Sequence, residues 1–525
     1  MDRRTFLALS VGTAASAALV GAPPAHAGNA GGISWPTGQV LPRFATPARL
    51  TVCDITALSA NEQLLAISLQ GLVNRVRPEI YLLNTAGEGA ATWLPSVGVP
   101  YGSPVDMGTL IASYRDRARG AVVWDPALPA TVNLATTLAG LDNLVVTSAD
   151  IAAQYGFTVV TDLRGRFTDE LQAYHWAVQE LWPRTAKRMV VNLNTTITGY
   201  LRDYAVANAA LTVWLDHSNS DHLALIEQLA TELPFNAPWI GWLRGGESPT
   251  VETLSNREVH VLAADRMTNL TVHSGASAYV NRTPYRAPAP TLENKVYVTV
   301  TYSDGDNLQY AQHRMRISWD DPARGSVPIN WPVPAQIVDA APDLLAYYQR
   351  TSTKADWLLS GPSGLGYVFP SAWPTTSVDA YARRAATYAG RAGFRSTVVL
   401  NRLSSTYVPI PEPVVASYRA AMNPAGLFEN WFYYMTDDLI VDGVPIARSR
   451  LVLTQADMND AMDQAEAVRQ ERGAAVFIML FLDAWTMVPT DVATVASQRG
   501  NACQFVRGDQ FFDLQRAAHG LPPAD

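Results

Sequence analysis

At 525 residues the chain is longer than one hydrophobic core ordinarily organises, so two to four domains are expected. Hydrophobic residues make up 48% and charged residues 16%, which excludes a largely disordered chain. The formal charge of −8 is scattered along the sequence, which argues against a nucleic-acid binder whose affinity would rest on clustered Lys and Arg.

The N-terminus joins Arg3-Arg4 to a short apolar run of small residues, 7 to about 22, and then to Ala25-His26-Ala27, an A-x-A cleavage pattern. This predicts a twin-arginine export signal over residues 1–27 and a linker over 28–47, although Asp2 stands where Ser or Thr is usual and no basic residue follows Leu7. The run is too short and too rich in Ala, Gly and Ser to favour a retained anchor. A secreted or extracytoplasmic protein with no stable membrane anchor is therefore expected. Cys53 and Cys503 lie in apolar runs near opposite ends of the chain. One long-range disulfide is conceivable, but folding before export in a reducing cytoplasm favours two buried free thiols. Neither spacing suits a zinc site or a redox pair.

From residue 48 to 280 strands and helices alternate. "RLTVCDITAL", "NEQLLAISLQGLVNR" and "EIYLLN" read as strand, amphipathic helix, strand. The unit recurs through "GAVVWD" and "NLVVTS", through "RMVVNLN" and "LTVWLD", and through "WIGWL" and "EVHVLAAD". Such alternation predicts parallel sheets covered by helices, in up to three subdomains, about 48–116, 117–205 and 206–280. Asp54, Asp125, Asp216 and Asp265 end these strands and read as caps of the next helix. His175, His217 and His273 have no partner at triad or metal spacing.

The proline-bearing stretch 281–294 reads as a linker before a second region, 295–525. There "KVYVTVTY", "WLLSG", "STVVLN", "GLFENWFYY", "RLVLTQ", "AAVFIMLFL" and "CQFVRG" are candidate strands with helices between several of them. Seven or eight parallel strands predict a (β/α) barrel of TIM type, regular or irregular, with an open doubly wound sheet as the alternative. The whole chain is thus read as α/β, several N-terminal units followed by a barrel-like domain. In either case the strand C-termini are where a ligand is expected.

The strand "VYVTVTY" breaks into "SDGDN", which places Asp304 and Asp306 at such an end. Two acids one residue apart can point the same way in extended chain, and Gly305 lets the backbone turn between them. An Asp-Gly turn with purely local hydrogen bonds is the alternative. An EF-hand is excluded, since Leu308, Gln309 and Met315 occupy positions where such a loop needs a ligand, Gly and Glu. No metal or other cofactor is assigned. The second constellation is "LLSGPSGLGYVFPSAW", residues 358–373. Walker, dinucleotide and nucleophile-elbow patterns each fail in it, so Ser363 is not read as an activated nucleophile. A glycine loop flanked by Tyr367, Phe369 and Trp373 suits a sugar, whose C–H faces stack on aromatic rings; core packing of these rings is the alternative.

"GLGYVFP", residues 364–370, resembles the signature of the GxGYxYP family of proposed glycoside hydrolases, with Phe369 where the family has its second Tyr. "ISLQGLVNRVRPEIYL", "DLRGRFTDELQAYHWA", "NLTVHSG" and "YSDGDNLQY" resemble family segments in the same order, so the resemblance spans nearly the whole mature chain. It implies a carbohydrate-active enzyme with a carbohydrate substrate. The Phe369 departure removes a hydroxyl from the signature.

A glycosidase ordinarily uses one carboxyl group as acid and a second as nucleophile or base. Strand-end position ranks Asp304, Asp306, Asp483 and Glu429 as the catalytic candidates. Asp483 follows the apolar run "FIMLFL" and stands near Trp485, whose indole could raise its pKa. Glu429 lies in "GLFENWFYY", where Asn430 and Trp431 compete for the inward direction, and Asp437 and Asp438 follow that strand. Substrate contacts are expected from Asn307, Gln309, Trp331, Ser363, Gly364, Gly366, Tyr367 and Trp485. A metal-dependent carbohydrate esterase or deacetylase, and a non-catalytic glycan-binding protein, are the rival readings. The oligomeric state is left open.

Overall fold

The computed structural model describes residues 32–84, 92–283, 285–429 and 439–524. The export signal and Asn430, Trp431, Asp437 and Asp438 lie outside the described residues.

Three small parallel sheets precede the barrel. Thr51–Asp54 (β1) pairs with Ile80–Leu83 (β2) across the helix Ala60–Asn74. That helix starts where the sequence supplies a capping box: the Ser59 hydroxyl accepts from the Glu62 amide, and Glu62 reaches back to the Ser59 amide at 3.0 Å. Gly120–Val123 (β3), Leu144–Thr147 (β4) and Val159–Asp162 (β5) form the second sheet in the order β4-β3-β5. Val190–Asn192 (β6), Leu211–Val213 (β7), Ala237–Ile240 (β8) and Val259–Leu262 (β9) form the third, in the order β7-β6-β8-β9. The strands of this third sheet are buried end to end, as parallel strands covered on both faces must be.

The C-terminal region is a closed barrel of seven parallel strands. In chain order its strands are Val296–Tyr302 (β10), Ile329–Val333 (β11), Asp356–Ser360 (β12) and Thr397–Val399 (β13), then, after a two-stranded hairpin of Arg402–Leu403 (β14) and Thr406–Tyr407 (β15), Leu427–Glu429 (β16). Leu439–Val441 (β17) folds back antiparallel on Val444–Val452 (β18), and Val476–Leu482 (β19) closes the ring against β10 over its full length. Cys503–Phe505 (β20) pairs with the start of β10, beside the single point, Thr301 to Asn330, where β11 meets that strand.

Strand β11 is absent from the periodicity reading because Pro332 sits inside it and Pro328 and Pro334 flank it. A proline is tolerated there because one long edge of β11 is nearly unpaired, so the missing N–H costs no ladder bond on that side. Alternation sorts the barrel's side chains. Val296, Val298 and Val300 face the helix layer, whereas Tyr297, Trp357, Val398, Phe428, Phe477 and Phe481 fill the lumen with Phe511 and Phe512 of the last helix. Cys53 is buried and Cys503 only half-buried, and both are free thiols.

Among the described residues no helix is long and apolar enough to cross a membrane.

Candidate functional site

The barrel's lumen is packed, and open space borders it above the strand C-termini. A cavity of about 340 Å³ lies there, floored by Val398, Leu400, Leu451 and Phe481. Its walls carry Asp304, Asp306 and Asn307 after β10, Pro332 from β11, Pro362 after β12 and Asp483 after β19. The opposite wall comes from the third N-terminal sheet: Trp242 and Glu247 follow β8 and enter the same cavity. Two backbone contacts lock this junction. Val261 of β9 exchanges hydrogen bonds with Tyr367 at 3.1 and 2.9 Å, and the Leu308 amide donates to the Ala263 carbonyl at 2.9 Å.

Asp304 adopts a left-handed backbone, φ 62°, which an aspartate tolerates better than most side chains. Gly305 follows because a Cβ there would lie 2.4 Å from that of Pro332, and Gly361 presses on it from the next strand end. This turn separates the two acids. Asp304 is held on both oxygens: Ser303 Oγ donates to Oδ2 at 2.6 Å and Trp485 Nε1 to Oδ1 at 3.1 Å. Burial, then the charges of Asp483 and Glu247, still push its pKa up. Asp306 is only 9% exposed, and its carboxyl takes its own backbone amide but no donor from another described residue. Burial first, then the charges of Asp304 and Glu247, hold its pKa well above the ordinary carboxylate range. Both acids are thus pushed upward, Asp306 the more strongly, and Asp304 is the one whose two oxygens have donors from neighbouring side chains.

Asp483 lines the cavity, but its Oδ1 accepts from the Trp485 and Thr486 amides at 3.0 and 2.9 Å and from the Thr486 hydroxyl at 3.0 Å. One oxygen therefore caps the turn and one is left toward the cavity. The Trp485 indole, 54% exposed, turns to Asp304 and not to Asp483. Asn307 lines the cavity while its side chain caps the short helix after it, accepting from the Tyr310 amide at 3.0 Å. Tyr367 reaches the cavity from the signature loop and donates its hydroxyl to Glu247 Oε1 at 2.6 Å.

The remaining sequence candidates sit elsewhere. Glu429 is buried and does not line the cavity; Oε2 takes Arg448 Nε at 2.7 Å and Oε1 takes the Ile410 amide at 2.5 Å. Trp331 is buried against Tyr302 and Trp319 and donates to Asp356 at 2.9 Å, so it offers no face to a sugar. Gln309 accepts from the Arg266 amide. The Ser363 hydroxyl is fully buried and donates to the Val368 carbonyl at 3.0 Å. Gly364 packs on Ala385, and a Cβ on Gly366 would stand 2.1 Å from His260 Cδ2, so these glycines let protein, and not ligand, come close. Phe369 is buried in the N-terminal core 5.6 Å from the Tyr367 ring, and the hydroxyl it lacks would lie in that core. Asp54, Asp125 and Asp216 accept from the amide two residues on, within the turn, and Asp265 accepts from the Trp242 amide just after β8, so none of the four caps the next helix. His273, without an evident partner in the sequence, pairs with buried Asp343 at 2.8 Å, away from the cavity.

Glu247, Trp242, Arg402 and Tyr407 line the cavity without having been singled out. A signal exists for Glu247: "WIGWLRGGES" ends a strand and places an acid after Gly245-Gly246, as "YSDGDN" places Asp306 after Gly305. Arg402 stacks over the Tyr407 ring, 4.0 Å from its centroid. Among the described residues no three of His, Cys, Asp and Glu stand together as a metal ligand set.

No curated protein sequence matches the chain. One similar crystal structure, "a putative hydrolase from Bacteroides thetaiotaomicron VPI-5482", is 22% identical, covers 92% of this chain and 98% of its own, and superposes with a TM-score of 0.79. At that identity the likeness establishes the fold. A second, "putative polysaccharide deacetylase from Mycobacterium smegmatis", is 10% identical, covers 46% of this chain and 97% of its own, and gives a TM-score of 0.31, too low to carry an argument. Family profiles match in sequence: "GxGYxYP_N 1st domain" over 49–116, "GxGYxYP_N second domain" over 118–185 and "GxGYxYP third domain" over 187–275. The profile described as "GxGYxYP putative glycoside hydrolase C-terminal domain" matches residues 294–516, so nearly the whole chain is covered and it belongs to the GxGYxYP family.

Proposed function

We propose that the protein is an exported glycoside hydrolase whose reaction takes place at the barrel mouth, with Asp306 as general acid and Asp304 as the paired carboxylate. The observation that carries this reading is Asp306: nine-tenths buried, without a donor from another described residue, beside two other acids and open to a ligand-sized cavity. Burial and the neighbouring acids favour its protonated form beyond the ordinary carboxylate range, as suits a group that protonates a leaving glycosidic oxygen. As the C–O bond breaks, positive charge develops at the anomeric carbon, and the Asp304 anion is fixed by Ser303 and Trp485 to stabilise it. Asp304 then either bonds to that carbon or deprotonates the attacking water, two routes told apart by the anomeric configuration of the product. Export rests on the Arg3-Arg4 and Ala25-His26-Ala27 pattern.

The test is release of reducing ends from a panel of nitrophenyl glycosides and neutral polysaccharides by the wild type, D304N and D306N. Each amide variant is expected to fold and to lose roughly 10²–10⁴-fold in turnover. Undiminished turnover in both would end the assignment of the pair.

A further inference from the structure

We propose that Trp242 and Glu247, on the loop after β8, form a subsite for an uncharged sugar unit opposite the barrel's acids; this rests on the glycosidase reading. The loop belongs to the third N-terminal sheet but faces the barrel, because residues after β8 line the same cavity as the C-terminal ends of the barrel strands, while β9 and the residue after it bridge to Tyr367 and Asn307. Glu247 is the first residue of the helix Glu247–Ser255. Its Oε1 is fixed by the Tyr367 hydroxyl at 2.6 Å, while Oε2 has no donor among the described residues. A positioned carboxylate oxygen of this kind is an acceptor for sugar hydroxyls.

Trp242 supplies the other half of a sugar site. Its amide is tied to Asp265 at 3.2 Å and its carbonyl to Asn192 at 2.5 Å, and its ring stands edge-on to Tyr367 at 5.8 Å. The indole is thus held at the cavity wall, where an aromatic face can cover the C–H surface of a pyranose. Charge narrows the ligand. Glu247, Asp304 and Asp483, with Asp306 read as the protonated acid beside them, line the cavity against one cation among the described lining residues, Arg402. A uronic acid or sulfated sugar would bring a further anion among them, whereas a neutral sugar brings only hydroxyls. The nearly buried carboxyl of Asp306, with no donor from another described residue, lies in the same cavity and independently marks it as a place built for a ligand.

The test uses the full chain and saturation-transfer NMR titrations at pH 7 with glucose, galactose, mannose and N-acetylglucosamine, alongside glucuronic and galacturonic acids. At least one neutral sugar should bind, and both uronic acids at least tenfold more weakly. W242A and E247Q should each weaken the neutral sugar about tenfold, and E247Q should also narrow the gap to the uronic acids, which a merely structural role would not do. If W242A does not fold, E247Q at its exposed position decides alone. Uronic acids binding as tightly as neutral sugars, binding unchanged in E247Q, or no binding by any sugar of the panel overturns the subsite. These sugars contain no bond to cleave, so the outcome is separate from turnover. Binding without cleavage of any glycoside sinks the hydrolase reading and spares the subsite; cleavage with an unaltered KM in E247Q does the reverse.

Discussion

Asp306 is kept where its neutral form is the stable one, and this has a cost that can be measured. A carboxyl whose pKa is higher in the folded than in the unfolded chain stabilises the fold fully below its unfolded value, and that contribution is lost as pH rises through the folded value. For Asp306, raised by burial and by Asp304 and Glu247, stability should therefore fall as pH climbs above the ordinary carboxylate range. D306N replaces the neutral acid with a permanently neutral amide. By scanning calorimetry it should raise the unfolding temperature at pH 8 by roughly 2–4 °C, about 1 kcal/mol in a domain of this size, and change it little at pH 4. An equal shift at both pH values would show that Asp306 is not a suppressed ionisation. At this scale the sequence is informative but ambiguous. A strand-end position places Asp304, Asp306 and Asp483 at the cavity, yet it describes Glu429 equally well. Glu429 is claimed by Arg448, its partner in the register of β16 and β18, and that pairing becomes visible only when the order of the strands is known.

Among the elements, the signature segment has an origin different from the one its composition suggests. Glycines beside aromatics read as a loop that embraces a ligand, whereas the segment pairs with β9 and sends Phe369 into the N-terminal core. Only Tyr367 returns to the cavity, through Glu247. Gly366 has φ 78° and no room for a Cβ beside His260, so G366A should destabilise the protein by roughly 2–4 kcal/mol, read by denaturant unfolding. Wild-type stability in that variant would contradict the docking role. Strand existence was largely legible from apolar and β-branched runs, since β10, β13, β16, β19 and β20 each fall within a candidate stretch and β12 and β18 overlap one. Strand β11 was not, because its prolines conceal it and only a nearly free edge permits them.

For the molecule as a whole, the cavity belongs to two regions joined across a buried polar seam. His260 of β9 lies in that seam, donates from Nδ1 to Asn236 Oδ1 at 2.8 Å, and is pushed by burial down to about 3 from the ordinary 6.5. Its neutral form stabilises the fold fully above about pH 6.5, and the contribution is lost as pH falls from there toward 3. H260Q should accordingly show a shallower loss of unfolding temperature between pH 6.5 and 4 than the wild type; an identical slope would remove His260 from the account of the seam. The alternation of strands and helices made the fold class readable. The meeting of β8's loop with the barrel mouth depends instead on contacts far apart in the chain, such as Glu247 with Tyr367 at a separation of 120 residues, which no local pattern records. The claim that the barrel mouth cleaves glycosides through Asp306 is tested most directly by the pH dependence of kcat/KM on a cleavable glycoside. The wild type should retain activity to a pH well above the ordinary carboxylate range and lose it as Asp306 ionises, and D306N should lack both the activity and that limb. A D306N profile that matches the wild type in height and shape would contradict it.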